Sequence, residues 1–267
     1  MKHLLHTALL GAAALFGACQ TEYHAYDTRV EGARDIHARN IPRIEAACSG
    51  KRTIRFAVFS DTQRWYDETK DAVRALNRRT DLDFVIHAGD MTDFGLRAEF
   101  ERQRDLFEQL EAPYVALIGN HDCLGTGRTV FGKIFGEPDF AFTAGTVRFI
   151  CVNTNALDVD YHGVPNLPFV EQELARYPAG CDRTVCAMHA STDSEQLNGE
   201  PAAALHALFR QFPGFLNLCI HGHGHSYERS EPFEDGVIYI QTDAIFKRNY
   251  LLYTITEEDW SCEQIYF

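Results

Sequence analysis

Residues 54–63 read Ile-Arg-Phe-Ala-Val-Phe-Ser-Asp-Thr-Gln, and residues 84–93 read Phe-Val-Ile-His-Ala-Gly-Asp-Met-Thr-Asp. Each opens with a short apolar run, read as a strand at Ile54–Phe59 and at Phe84–His87, that stops abruptly in small and acidic residues. Between them, Glu68–Arg79 carries its apolar residues at helical spacing. A helix-length connection between two buried strands returns the chain to the edge it left, so the two strands lie parallel. The pattern repeats at once. Leu96–Leu110 reads as a helix on Leu96, Phe100, Leu106, Phe107 and Leu110, and Tyr114–Ile118 as a third strand. This order predicts a mostly parallel sheet with right-handed crossovers.

Further on, Phe140–Phe142 and Val147–Asn153 flank an Ala-Gly turn and read as a hairpin. A helix at about Phe169–Tyr177, a strand at Thr184–His189 and a helix at Ala202–Phe212 follow. Four strands complete the chain, at Phe215–His221, Val237–Thr242, Tyr250–Ile255 and Ser261–Phe267.

Polar residues gather where these strands end. The first ends in Ser60-Asp61-Thr62-Gln63, the second in Gly89-Asp90-Met91-Thr92-Asp93 and the third in Gly119-Asn120-His121-Asp122. The strand at 184–188 ends in His189, and that at 215–220 runs into His221-Gly222-His223-Gly224-His225. Open α/β sheets bind ligands beyond the carboxyl ends of their strands. Five strand ends thus deliver Asp, Gln, Asp, Asn and three His to one edge. Oxygen and imidazole donors without a thiolate suit Mn, Fe, Zn or Mg in a working site rather than a structural zinc.

The series resembles the calcineurin-like metallophosphoesterase family, whose blocks are D-x-H, G-D-x-x-D, G-N-H-D/E, a lone His and G-H-x-H. The resemblance runs from about Ile54 to Asp243. Each block alone is weak; all five in order, each after an apolar strand, are specific. It implies a four-layer α/β/β/α sandwich over residues 50–267, with the second sheet resting on the resemblance. It also implies two divalent ions. Asp61 and His225 would hold the first, Asp90 would bridge both, and Asn120, His189 and His223 would complete the second. His121 resembles the general acid and Asp93 its orienting partner, with a metal-bridging hydroxide attacking a phosphomonoester or phosphodiester.

One ligand departs from the pattern. Gln63 stands where the family has histidine, so an amide oxygen replaces imidazole at the first ion, a weaker and harder ligand that favours Mn, Mg or Fe over Zn. The rival reading is a catalytically silent metal-binding surface lipoprotein. A different metal hydrolase, acting on amides or carboxylic esters, is a second rival. Asp93 also occupies the position where purple acid phosphatases carry tyrosine, so their tyrosinate chemistry is not expected.

The first residues read as a targeting segment. Lys2 precedes an apolar stretch, Ala8–Ala18, too short to span a bilayer but suited to a signal peptide. It closes in Leu15-Phe16-Gly17-Ala18-Cys19, which resembles a lipobox with Phe16 in an unusual place. Residues 1–19 are thus expected to direct export to the periplasm or outer surface, and a lipidated Cys19 to tether the protein to a membrane. The alternative is an ordinary cleaved signal. Residues 20–49 read as a tether ending in a short helix, Ile41–Ala47.

The formal charge of -13 over 267 residues argues against a nucleic-acid-binding surface and leaves a phosphate substrate in need of metal charge at the site. Cys48, Cys181 and Cys262 sit near element ends, where one disulfide would be feasible, whereas Cys151, Cys186 and Cys219 lie in apolar runs. His87, His206 and His221 read as structural, Cys123 as packing, and Asp122 as loop support. Arg64, Trp65 and Tyr66 follow the first loop and are candidates to face substrate. Arg128, Lys247 and Arg248 read as surface charge, and Asp158, Asp160, Tyr161 and His162 as a solvated loop. Substrate-binding residues and oligomeric state are not legible.

Overall fold

The computed structural model describes residues 24–157 and 163–267. The expected signal segment with Cys19, and the loop residues Asp158, Asp160, Tyr161 and His162, lie outside the described residues.

One sheet has five strands, in the order β11 (Trp260–Tyr266), β10 (Asn249–Ile255), β1 (Ile54–Phe59), β2 (Phe84–His87) and β3 (Tyr114–Ala116). The β1, β2 and β3 strands are parallel, as their helical crossovers α2 (Tyr66–Asn77) and α3 (Arg97–Phe107) require, while β10 runs antiparallel to both β1 and β11. The second sheet has six strands, β4 (Phe140–Ala144), β5 (Val147–Cys151), β6 (Arg183–Ala187), β7 (Phe215–His221), β9 (Ile238–Gln241) and β8 (Glu228–Ser230). Its central four are parallel, and a hairpin partner at each side, β4 and β8, is antiparallel.

Alternation along the strands decides the layers. In β1, Phe56 and Val58 face the inter-sheet core, whereas Ala57 and Phe59 face Leu76, Phe100 and Phe107 from the helices. In the second sheet, Phe149 and Val185 point inward, while Ile150 and Cys186 pack outward with residues of α5 (Leu167–Ala175) and α6 (Gly199–Phe209), Val170 and Leu205. The result is the expected four-layer α/β/β/α sandwich.

Aromatic rings fill its centre. Tyr253, Phe56 and Phe84 stack across three neighbouring strands at 5.1 and 4.9 Å, and Phe149 of the other sheet meets Phe56 edge-on at 5.2 Å. Such rings combine large buried area with a preferred edge-to-face geometry, which fixes how the sheets sit on each other.

Helix α1 (Ile36–Cys48) covers the open edge at β3. Asn40 Nδ2 donates to the Tyr114 carbonyl at 2.8 Å, and His37 Nε2 lies 3.0 Å from the Ala116 carbonyl. Carbonyls that an edge strand would leave bare are thereby satisfied. Ile44 and Cys48 of the same helix reach the inter-sheet core.

Two elements were not expected from the sequence. Helix α4 (Gly127–Ile134) is eight residues long and holds two glycines, which weakens its period, although Val130, Phe131 and Ile134 bury one face. Strand β8 is a three-residue polar edge strand with little apolar alternation to read. The seven described cysteines are all free thiols, Cys48 being buried and Cys181 and Cys262 half-buried. Among the described residues, no helix is long and apolar enough to cross a membrane.

Candidate metal centre

Register brings the strand ends together. Phe59 pairs with His87, and His87 with Ala116, so the loops that follow leave the first sheet side by side. The Asp61 N–H donates to the Gly89 carbonyl at 3.0 Å and the Gln63 N–H to the Asp90 carbonyl at 3.2 Å. In the second sheet the Gly222 N–H donates to the His189 carbonyl at 2.9 Å. The two sheets are then joined across the seam. His189 Nδ1 donates to the Ala88 carbonyl at 2.8 Å, and the His223 N–H donates to Asp61 Oδ2 at 3.2 Å.

Two groups of ionisable side chains converge there. Asp90, His189 and His223 form one, and Asp61, Asp90 and His225 the other, each with its ligand atoms within 4.8 Å of one another. Asp90 belongs to both. Asn120 joins the first group, its Oδ1 lying 3.2 Å from His189 Nε2 and 3.0 Å from His223 Nδ1. Gln63 is buried in the Asp61 loop.

The donor set fits cations. His189 Nδ1 gives its proton to a carbonyl, so in the neutral ring Nε2 is a lone pair. It faces Asn120 Oδ1 and, at 3.4 Å, Asp90 Oδ2. Acceptors aimed at one point repel unless positive charge lies between them. Asp61 Oδ1 is buried with no hydrogen-bond partner among the described residues, although His225 Nε2 stands 3.2 Å away. Burial alone would lower the His189 pKa, but the charges of Asp90 and Asp61 outweigh it and raise the ring to about 9. A proton there does part of what a metal ion would do. For Asp90, burial raises the pKa, and His189 together with the His121 side chain and N–H reverses this and holds the carboxyl below its ordinary value.

The backbone is bent to this purpose. Asp61, Gln63, Asp90, His223 and His225 all have positive φ, from 28° to 76°. Such conformations are costly outside glycine and persist where the surroundings enforce them. A Cβ at Gly119 would run into Asp90 Oδ1, and one at Gly89 into the His189 ring, so both glycines are required by close approach.

His121 stands beside Asp90, its N–H donating to Asp90 Oδ1 at 2.9 Å. Its Nδ1 lies 2.9 Å from the backbone carbonyl of Asp93. The link between Asp93 and His121 therefore runs through main chain, whereas the Asp93 carboxylate accepts from Arg64 Nε at 3.1 Å. Of the neighbouring aromatic residues, Trp65 packs against Phe246 at 5.2 Å, and the Arg102 guanidinium covers the Tyr66 ring at 3.7 Å.

Several supports escaped the sequence reading in their detail. Asp122 is buried and accepts from the N–H groups of Met91, Thr92 and Gly119 and from Thr92 Oγ1, tying two ligand loops together. Burial and the charge of Asp90 push its pKa up to about 7 against those hydrogen bonds. Gln241 Nε2 donates to the Ser226 carbonyl at 2.6 Å, and Asp243 Oδ1 accepts from the Tyr227 N–H at 2.8 Å, so the end of β9 fixes the loop that carries His223 and His225. Glu195 accepts from His223 Nε2 at 2.7 Å. Asp122 closes the G-N-H-D/E block and read as loop support, whereas Gln241, Asp243 and Glu195 show no motif of their own.

His87, His206 and His221 are structural. His87 Nδ1 accepts from the Gly89 N–H, its Nε2 faces Thr62 Oγ1 at 3.1 Å, and burial lowers its pKa to about 3. His206 lies between Tyr239 and Asp235. His221 is buried, with Nδ1 3.1 Å from the Gly222 carbonyl. Lys247 and Arg248 pair with Asp243 and Asp71.

The model of the family described as calcineurin-like phosphoesterase matches residues 54–227. A curated relative, the probable cyclic nucleotide phosphodiesterase RPA0124 of Rhodopseudomonas palustris, is 30% identical over 150 residues, covering 47% of this chain and 53% of that protein. The chain thus spans about half the length of the curated relative it matches. Among solved structures, a dimetal phosphatase from Danio rerio superposes with a TM-score of 0.60 at 13% identity, over 79% of this chain and 95% of that one. The purple acid phosphatase PPD1 of yellow lupin (Lupinus luteus) gives 0.59 at 17% identity, over 81% and 52%. At such identities the likeness speaks for the fold.

Proposed function

The chain belongs to the calcineurin-like phosphoesterase family, and on that premise we propose that it hydrolyses phosphoesters with two divalent ions held on either side of Asp90. The observation that carries the reading is the convergence of buried and half-buried ligand atoms in two groups that share this one carboxylate. Asp61, Gln63, Asp90 and His225 would hold one ion, and Asp90, Asn120, His189 and His223 the other. Mn, Fe, Zn and Mg all suit such donors.

When bound, the ions supply charge that offsets the phosphoryl oxygens and acidify the attacking water. The chain's own residues do the rest. His121 is pinned at its N–H by Asp90 and at Nδ1 by the Asp93 carbonyl. A carbonyl only accepts, so Nδ1 keeps its proton throughout; the doubly protonated ring gives the proton on Nε2 to the leaving-group oxygen and is left as the neutral Nδ1–H tautomer. Arg64 steadies this arrangement by holding the Asp93 carboxylate. The name of the R. palustris relative puts phosphodiesters, cyclic nucleotides included, beside phosphomonoesters as substrates. Export and lipid attachment at Cys19 belong to the same proposal on the strength of Leu15–Cys19. Loss of radiolabelled palmitate in Cys19→Ser would support that part, and unchanged labelling would remove it.

The test of activity is hydrolysis of paired mono- and diester chromogenic substrates by metal-stripped protein reloaded with Mn, Fe, Zn or Mg, beside Asp90→Asn. Turnover restored by metal and lost in the variant supports the reading. Absence of turnover on both esters, with two ions bound, would instead favour the silent metal-binding protein.

A further inference from the structure

Glu195 lies in the connection between β6 and α6 and belongs to neither group of ligand atoms. We propose that it is a positioning residue, which holds the His223 imidazole so that Nδ1 faces the second ion. The inference rests on the two-metal reading above.

The argument starts from the imidazole itself. A neutral ring offers one N–H and one lone pair, and whichever nitrogen finds an acceptor keeps the proton. At His223, Nε2 lies 2.7 Å from Glu195 Oε1, and a carboxylate only accepts. The proton therefore sits on Nε2, and the lone pair on Nδ1, 3.0 Å from Asn120 Oδ1 and within the group shared with Asp90 and His189. Among the described residues, Glu195 is the partner that fixes this tautomer at Nε2. Without it, Nδ1 would be free to take the proton and donate it to Asn120 Oδ1, which turns a ligand into a competitor for the ion.

The two histidines of this group are held differently. His189 rests on the Ala88 carbonyl, a main-chain group inside the seam, and its side chain is fully buried. His223 rests on the side chain of Glu195, which is 66% exposed. The tautomer of His189 is thus built into the fold, whereas that of His223 depends on one surface side chain that substitution can remove without disturbing the core. Among the residues that would hold the first ion, Asp61 meets His223 through that residue's backbone N–H and pairs directly with His225.

The experiment is calorimetric titration of Mn²⁺ into metal-stripped wild type, Glu195→Ala and Glu195→Gln, with thermal unfolding of each metal-free protein. Wild type is expected to show two sites. In Glu195→Ala one of them weakens by roughly 10- to 100-fold, the effect typical of losing a hydrogen bond to a ligating histidine, and the other keeps its affinity. Glu195→Gln, whose amide oxygen still accepts from Nε2, falls between the two. Metal-free unfolding temperatures stay equal. Two sites of wild-type affinity in Glu195→Ala would overturn the inference while leaving the two-metal reading intact. Equal weakening at both sites, or a lower metal-free unfolding temperature, would overturn it in favour of a general structural role. Fewer than two sites in wild type would overturn the two-metal reading and this inference with it.

Discussion

His189 Nε2 lies 3.4 Å from Asp90 Oδ2, although Asp90 follows a strand of one sheet and His189 a strand of the other. The contact exists because the carboxyl ends of β2 and β6 meet at the seam of the sandwich, where the Ala88 carbonyl holds the far side of the same imidazole at 2.8 Å. Closing the two sheets on each other and assembling the candidate centre are therefore one event.

Asp90 is the residue both groups share, so its loss should be felt twice. Asp90→Asn is expected to carry less than one ion per chain after dialysis against Mn²⁺, whereas Asp61→Asn should keep the ion at Asn120, His189 and His223. Elemental analysis of the two variants checks this. Equal metal content in both would mean that Asp90 is not shared.

Gln63 places an amide where an imidazole would bind softer metals better. Gln63→His is expected to shift the preference of one site from Mn²⁺ toward Zn²⁺ and to leave the other unchanged. Competition between the two metals reads this directly. An unchanged preference at both sites would remove Gln63 from the first ion.

His121 is expected to matter in proportion to the basicity of the leaving group. For His121→Ala the rate on an alkyl phosphoester should fall by roughly 10²–10⁴-fold. The fall should be much smaller on a p-nitrophenyl ester, whose leaving group departs without a proton. Equal losses on both esters would assign His121 to binding rather than proton delivery.

His37 supplies a pH dependence outside the two ligand groups. Burial lowers its pKa from 6.5 to about 4, against the hydrogen bond to the Ala116 carbonyl. The unfolded chain takes up this proton below pH 6.5, while the folded protein resists until about pH 4. The contribution is thus complete above pH 6.5 and lost as pH falls through that window, by roughly 3 kcal/mol. Denaturant unfolding at pH 7 and pH 4.5 should show a shallower loss for His37→Gln than for wild type. Identical losses would mean that His37 is protonated in the folded state.

Much of this fold was legible because burial on two faces leaves an unmistakable pattern. Ile54–Phe59 and Phe84–His87 were read with their observed bounds, since strands covered on both sides are mainly apolar and stop where polar loops begin. The ligand residues were legible for the same reason, each lying in the short polar stretch that follows such a run. What stayed hidden depends on contacts remote in sequence. Glu195 has no signature, because only the fold brings it to His223. The part of Asp93 that touches His121 is its carbonyl, which every residue possesses. Helix α4 was missed because Gly127 and Gly132 dilute a short apolar face that becomes meaningful once Phe131 and Ile134 find the helix-side core.

The central claim is that Asp90 stands between two ions, and anomalous scattering from crystals grown with Mn²⁺ tests it most directly. Two peaks roughly 3.5–4 Å apart, flanking the Asp90 carboxylate, with His225 on one side and His189 and His223 on the other, are the predicted result. A single peak, or peaks away from Asp90, would contradict it.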